Sequence, residues 1–173
     1  GIIFFLTGII FSGNIATLLG ANKQVYHMTS IYLKVLLMFG PAFVLNNVMN
    51  AFVRNDGNPR LSMIAMLVGS FGNIILDYLL VIKFSMGMFG AVLATGFSPI
   101  MGLMVLSGHI VSENSNIKFK VAKIRASFIK SIIMLGIPSF VTEMSSGIVI
   151  FVFNIIILGL QGNVGVAAYG IIA

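Results

Sequence analysis

Glu143 is the residue of this chain best placed to do chemistry. It lies about a dozen residues past Lys130, inside an apolar run. With Lys130 at a membrane surface, a rise of about 1.5 Å per residue carries the carboxyl towards mid-membrane. On a helix, Ser139, Thr142, Ser146, Gly147 and Asn154 share its face. Pro138 stands just before them and is expected to break the backbone ladder one turn upstream, bending the helix. A carboxyl kept from water in such a place exchanges a proton or binds a cation such as Na⁺; the plainer alternative is a neutral, hydrogen-bonded packing group. The first reading makes Glu143 the expected coupling residue, with Ser139, Thr142, Ser146 and Asn154 as pathway-lining candidates.

Three further polar sets interrupt apolar runs. Ala65, Gly69, Asn73 and Asp77 are spaced by four and form one narrow helical face. Asp77 is expected to cap or bond a neighbouring helix near the outer interface, or else to serve the outer part of a pathway. Asn46, Asn47 and Asn50 form a patch one turn before Arg54. Asn side chains bond across membrane helices for about 1 kcal/mol each, so Asn46 and Asn50 suit either packing or substrate lining. Gly90, Ala94, Ser98 and Gly102 also repeat every four residues, a groove that lets another backbone approach. Pro99 in the same run suits a static kink or a hinge. His27 and His109 have no partner at metal-ligand spacing and read as solvated or interfacial.

With four acids, two His and no Cys, the chain holds no HExxH, no phosphate loop and no nucleophile elbow, so an enzyme is not expected. The lack of Cys excludes disulfides and thiolate metal sites. No cofactor is expected, and no metal beyond a possible Na⁺ at Glu143.

The elements that must hold these residues are membrane helices. Of 173 residues, 58% are apolar and 8% charged; a water-facing domain carries about 25% charged residues. Five runs reach the roughly 20 residues needed to span a bilayer: about Ile2–Leu19, Ile31–Val53, Leu61–Ile82, Met86–Ile110 and Ser131–Leu160. A sixth starts near Val164. The runs are continuous rather than alternating, so the expected fold is an all-α, polytopic membrane helix bundle. Between the second and third runs lies FVRNDGNPR, Phe52–Arg60. There Asn58 suits a helix cap and Pro59 a first turn. Gly1 in place of Met, and a last run that breaks off, read as an internal piece of a longer polypeptide.

Charge sets orientation. Arg54, Arg60, Lys118, Lys120, Lys123, Arg125 and Lys130 lie on one side, and Lys23, Lys34 and Lys83 on the other. Seven against three places the first group in the cytoplasm. The net charge of +6 therefore reads as topology, not nucleic-acid binding. KFKVAKIRASFIK alternates basic and apolar residues, as a short helix on the anionic inner leaflet would. The expected organisation is 1–111 with four spans, a basic cytoplasmic linker at 112–130, and 131–173 opening a second bundle.

FVRNDGNPR, GNIILDYLL, the run Gly87–Thr95 and Leu135-Gly136-Ile137-Pro138 together resemble the multidrug and toxic compound extrusion (MATE) family, in order and spacing, over nearly the whole chain. The resemblance implies helices 3–8 of a twelve-helix transporter of two six-helix lobes, with Arg54, Asp56, Gly57, Pro59, Asn73, Asp77 and Pro138 as motif positions. It implies export of cationic amphipathic drugs in exchange for Na⁺ or H⁺, in a cell membrane, with the rest of the same polypeptide as partner. In some subclasses an acid of helix 7 belongs to the cation site. That acid stands about one turn later, where this chain has Ser146, so Glu143 matches the helix and the role rather than the position. A lipid-linked saccharide flippase of the wider superfamily is the alternative. It should need a large cationic cavity, and the spans hold almost no internal Lys or Arg.

Overall fold

A computed structural model describes residues 1–19, 21, 23, 25–111, 115 and 126–172. Its helices are α1 (Ile2–Leu18), α2 (Tyr26–Met38), α3 (Gly40–Asn55), α4 (Pro59–Asp77), a π-helical turn (Tyr78–Lys83), α5 (Gly87–Val111) and α6 (Ala126–Ile172). The all-α membrane bundle expected from composition is the fold found. Pro59–Lys83, Gly87–Val111 and Ala126–Gly170 are long and apolar enough to cross a membrane, the bent pair α2–α3 adds another, and α1 is a shorter apolar helix. The chain divides into two units, Gly1–Phe119 and Lys120–Ala173.

Small residues bring the helices of the first unit together. On α1, Gly8, Ser12 and Ala16 repeat every four residues and are buried. A Cβ at Gly8 would strike Leu37 of α2, and one at Gly13 would meet the Tyr26 hydroxyl. These contacts set α1 and α2 antiparallel.

The second span differs from expectation. It runs from Tyr26 to Asn55 rather than from Ile31 to Val53, and it is two helices bent by 47°. Pro41 in the first turn of α3 has no N–H to donate to the preceding turn, and its ring disfavours helical backbone before it. The vertex is held from outside. Phe39 packs on Gly96, where a Cβ would collide with its ring, and tilts against Phe97 at 5.4 Å.

The next connection is as read. Asn58 Oδ1 accepts a hydrogen bond from Leu61 N at 3.1 Å, and Pro59 opens α4. Met49, Val53, Ala65 and Leu106 form the hydrophobic core beneath this turn.

In the second unit Pro138 lies inside α6. The one residue of α6 with non-helical backbone is Gly162 (φ 66°, ψ −158°). The rings of Phe153 and Tyr169 stack at 5.8 Å. Sixteen residues of straight helix would separate them by about 24 Å, so the chain folds back at Gly162 and segments 126–161 and 163–172 run antiparallel. A single proline can be carried where its neighbours re-satisfy the backbone; a positive φ at glycine reverses the chain at little cost. The run expected to start near Val164 thus follows the reversal at Gly162. The basic stretch before α6, including Lys118, Lys120, Lys123 and Arg125, lies outside the described residues.

Candidate functional site

The two small-residue faces noted in the sequence face each other. Ser98 Oγ donates to Gly69 O at 2.9 Å. A Cβ on Gly102 would lie 3.4 Å from Ala65 O, and one on Gly90 would lie 3.0 Å from Leu80 O. This antiparallel register sets Asn73 opposite Ala94 and Asp77 near Gly90. Ala94 and Gly90 are buried and carry no polar side chain. Two polar groups therefore enter the α4–α5 seam where the partner helix offers nothing to bond. Asn73 Nδ2 and Asp77 Oδ1 are both buried and have no hydrogen-bond partner among the described residues. The bond from Asp77 to a neighbouring helix, expected from its position, is thus not made by this oxygen. A π-helical turn starts at the next residue, with Phe84 N donating to Leu79 O at 2.9 Å. Such turns recur at functional sites.

A cavity of about 340 Å³ opens between α3, α4 and α5. Asn46, Asn47, Asn50 and Arg54 line it from α3, with Ser62 and Ser70 from α4 and Ser98 from α5. Asn50 Oδ1 accepts from Ser62 Oγ at 2.8 Å, and Asn50 Nδ2 donates to Asn46 O at 3.2 Å. Asn46 Oδ1 is buried against Gly102 and, like the Asp77 oxygen, lacks a partner among the described residues. The expected Asn patch is therefore partly packing and partly cavity wall.

His109 corrects a reading. It is not solvated but 5% exposed, and its Nε2 lies 2.8 Å from Asp56 Oδ2. Asn58 Nδ2 lies 3.4 Å from its Nδ1, and Ser115 Oγ donates to Asp56 at 3.4 Å. The motif residue Asp56 thus ties the α3–α4 turn to the end of α5, beside the positive-φ Gly57 (φ 89°). Sequence offered one signal for this: an acid in the turn and a histidine at the far end of a span expected on the same membrane face.

In the second unit, Ser139, Thr142, Glu143 and Ser146 are exposed and Asn154 is half-buried. The Thr142 hydroxyl donates back to Pro138 O, one turn earlier, at 3.0 Å. No group of three or more His, Cys, Asp or Glu gathers among the described residues.

A family model, MatE, matches residues 1–79. The chain is also 33% identical, over 99% of its length, to the multidrug export protein MepA of Staphylococcus aureus. The chain is similar to members of the MATE family. It spans 38% of the length of that relative. An inward-facing structure of a multidrug resistance MATE transporter of the MOP superfamily superposes with a TM-score of 0.84 at 25% identity, covering 97% of this chain and 40% of that one. An outward-facing structure of such a transporter superposes at 0.75 with 28% identity, covering 98% and 39%. These relatives are transporters, not enzymes, and the chain is a multi-pass membrane protein.

Proposed function

We propose that the whole protein exports cationic, amphipathic drugs or xenobiotics across the cell membrane in exchange for Na⁺ or H⁺, by alternating access of two lobes. The observation that carries the coupling is the orphaned pair Asn73 Nδ2 and Asp77 Oδ1, buried in a membrane helix of a MATE-like chain. A buried polar group without a partner costs about 1–3 kcal/mol. A proton or a small cation that arrives and leaves supplies the missing partner in one state and withdraws it in the other, which biases a two-state equilibrium. Asp77 with Asn73 is the coupling position this geometry favours in the first unit. Glu143 is the second proposed coupling acid, with Ser139, Thr142, Ser146 and Asn154 along its pathway. Asn46 and Asn50 present a polar wall in the first unit.

Export fits the relatives better than the flippase alternative. A pyrophosphate headgroup calls for several cationic groups, whereas the cavity of the first unit carries one guanidinium and no Lys.

The test is gradient-driven dye efflux by the full-length protein carrying Asp77→Asn or Glu143→Gln, at matched membrane expression. Loss of at least tenfold in coupled efflux is expected for the acid that carries the ion. Full efflux in both variants would remove both acids from the coupling step.

A further inference from the structure

We propose that His109 and Asn58 form a proton-operated helix cap, on the face that the charge pattern assigns to the cytoplasm. Asn58 Oδ1 caps α4 by accepting from Leu61 N at 3.1 Å. That bond fixes which end of the carboxamide meets the ring. Nδ2, which can only donate, faces His109 Nδ1 at 3.4 Å. Nδ1 is then the acceptor of the ring. Nε2 carries the ring hydrogen and donates it to Asp56 Oδ2 at 2.8 Å. Both ring nitrogens are satisfied in this way only while the ring is neutral.

A proton from cytoplasmic water binds Nδ1, where the ring lone pair lies. The Asp56 carboxylate then holds an imidazolium through Nε2, and that bond becomes charge-assisted. On the other side two N–H groups face each other, at a ring only 5% exposed. A buried donor without an acceptor is costly, and Asn58 carries the nearby acceptor, Oδ1. Turning the carboxamide over gives Oδ1 to the ring and takes it from Leu61 N. The cap is therefore present with a neutral ring and lost as pH falls through the titration of the ring. Among the described residues Asp56 is the one titratable side chain bonded to the ring; Arg54 and Arg60, on either side of the turn, are exposed. Asp56 also accepts from Ser115 Oγ. Ser62 follows Leu61, and its hydroxyl donates to Asn50 Oδ1 in the wall of the α3–α4–α5 cavity. Uncapping α4 thus loosens the cytoplasmic end of that wall. Neither Asp77 nor Glu143 takes part, so the inference stands apart from the coupling proposal.

The experiment follows backbone hydrogen exchange of the purified full-length protein in detergent, at about pH 5.5 and about pH 8.5, on either side of the usual histidine range. Rates are taken as protection relative to the unfolded chain, so that the intrinsic pH dependence of exchange divides out. Protection of the Leu61 amide is expected to be about fivefold lower at the acid pH, the scale of a lost cap, with amides in the middle of α5 unchanged. Asn58→Asp supplies a carboxylate that accepts from Leu61 N and from the ring together, and should abolish the difference. His109→Gln has no titrating group and should abolish it too; if that variant does not fold, Asn58→Asp decides. Equal Leu61 protection at both pH values in wild type would overturn the cap switch. So would a difference that persists in Asn58→Asp, or a loss of protection shared by the amides of α5.

Discussion

Asp56 and His109 stand 53 residues apart in sequence and 2.8 Å apart in the fold. Both are nearly buried, so removing one takes from the other the hydrogen bond they share. His109→Ala or Asp56→Ala is expected to cost about 2 kcal/mol, the usual scale for a hydrogen bond to a charged group. The double variant should cost clearly less than the sum, because the contact the two residues share is lost only once. Thermal unfolding of the full-length protein in detergent checks this. Neither member was legible as a partner from spacing, since a tertiary contact between a turn and a distant helix end leaves no periodic trace. The same holds for Asp77. Its helix and face could be read from the spacing of Ala65, Gly69 and Asn73. That its oxygen meets a glycine-lined stretch of α5 depends on the register of two helices, which no single helix encodes.

At the scale of elements, the four-residue spacing of glycines, alanines and serines was the strongest signal, because close approach of membrane helices needs small side chains. Gly69 and Gly108 should therefore respond differently to the same substitution. A Cβ at Gly69 meets the Ser98 carbonyl at 3.2 Å, whereas Gly108 faces open space. Gly69→Leu is expected to destabilise by about 1–3 kcal/mol through overpacking, and Gly108→Leu to be nearly silent in the same assay. Turns divide likewise. The FVRNDGNPR turn was readable because Asn58 and Pro59 carry a local mechanism. The Gly40–Pro41 bend was not, since its vertex is held by what packs around it. Gly162 offers a clean check. Its φ of 66° penalises any residue with a Cβ, so Gly162→Val should cost roughly 1–2 kcal/mol, against little for Gly159→Ala, which meets nothing within 4 Å.

At the scale of the molecule, the chain supplies polar groups that want partners rather than a finished site. Asn73, Asp77 and Asn46 each carry a buried atom without one among the described residues. Such groups persist in membrane proteins where a ligand, ion or proton completes them. The class of the protein followed from composition, because a chain with 8% charged residues has too few to face water. The identity of the moving ion did not, since an acid in a helix looks the same in sequence whether it binds Na⁺ or H⁺. The most direct test is dye transport by the full-length protein in proteoliposomes, with no energy source but an imposed Na⁺ or proton gradient. Uphill dye movement driven by one of these gradients, and lost when that gradient alone is collapsed, is the predicted result. Dye movement that only follows its own gradient, with or without an ion gradient, would contradict a cation-coupled exporter.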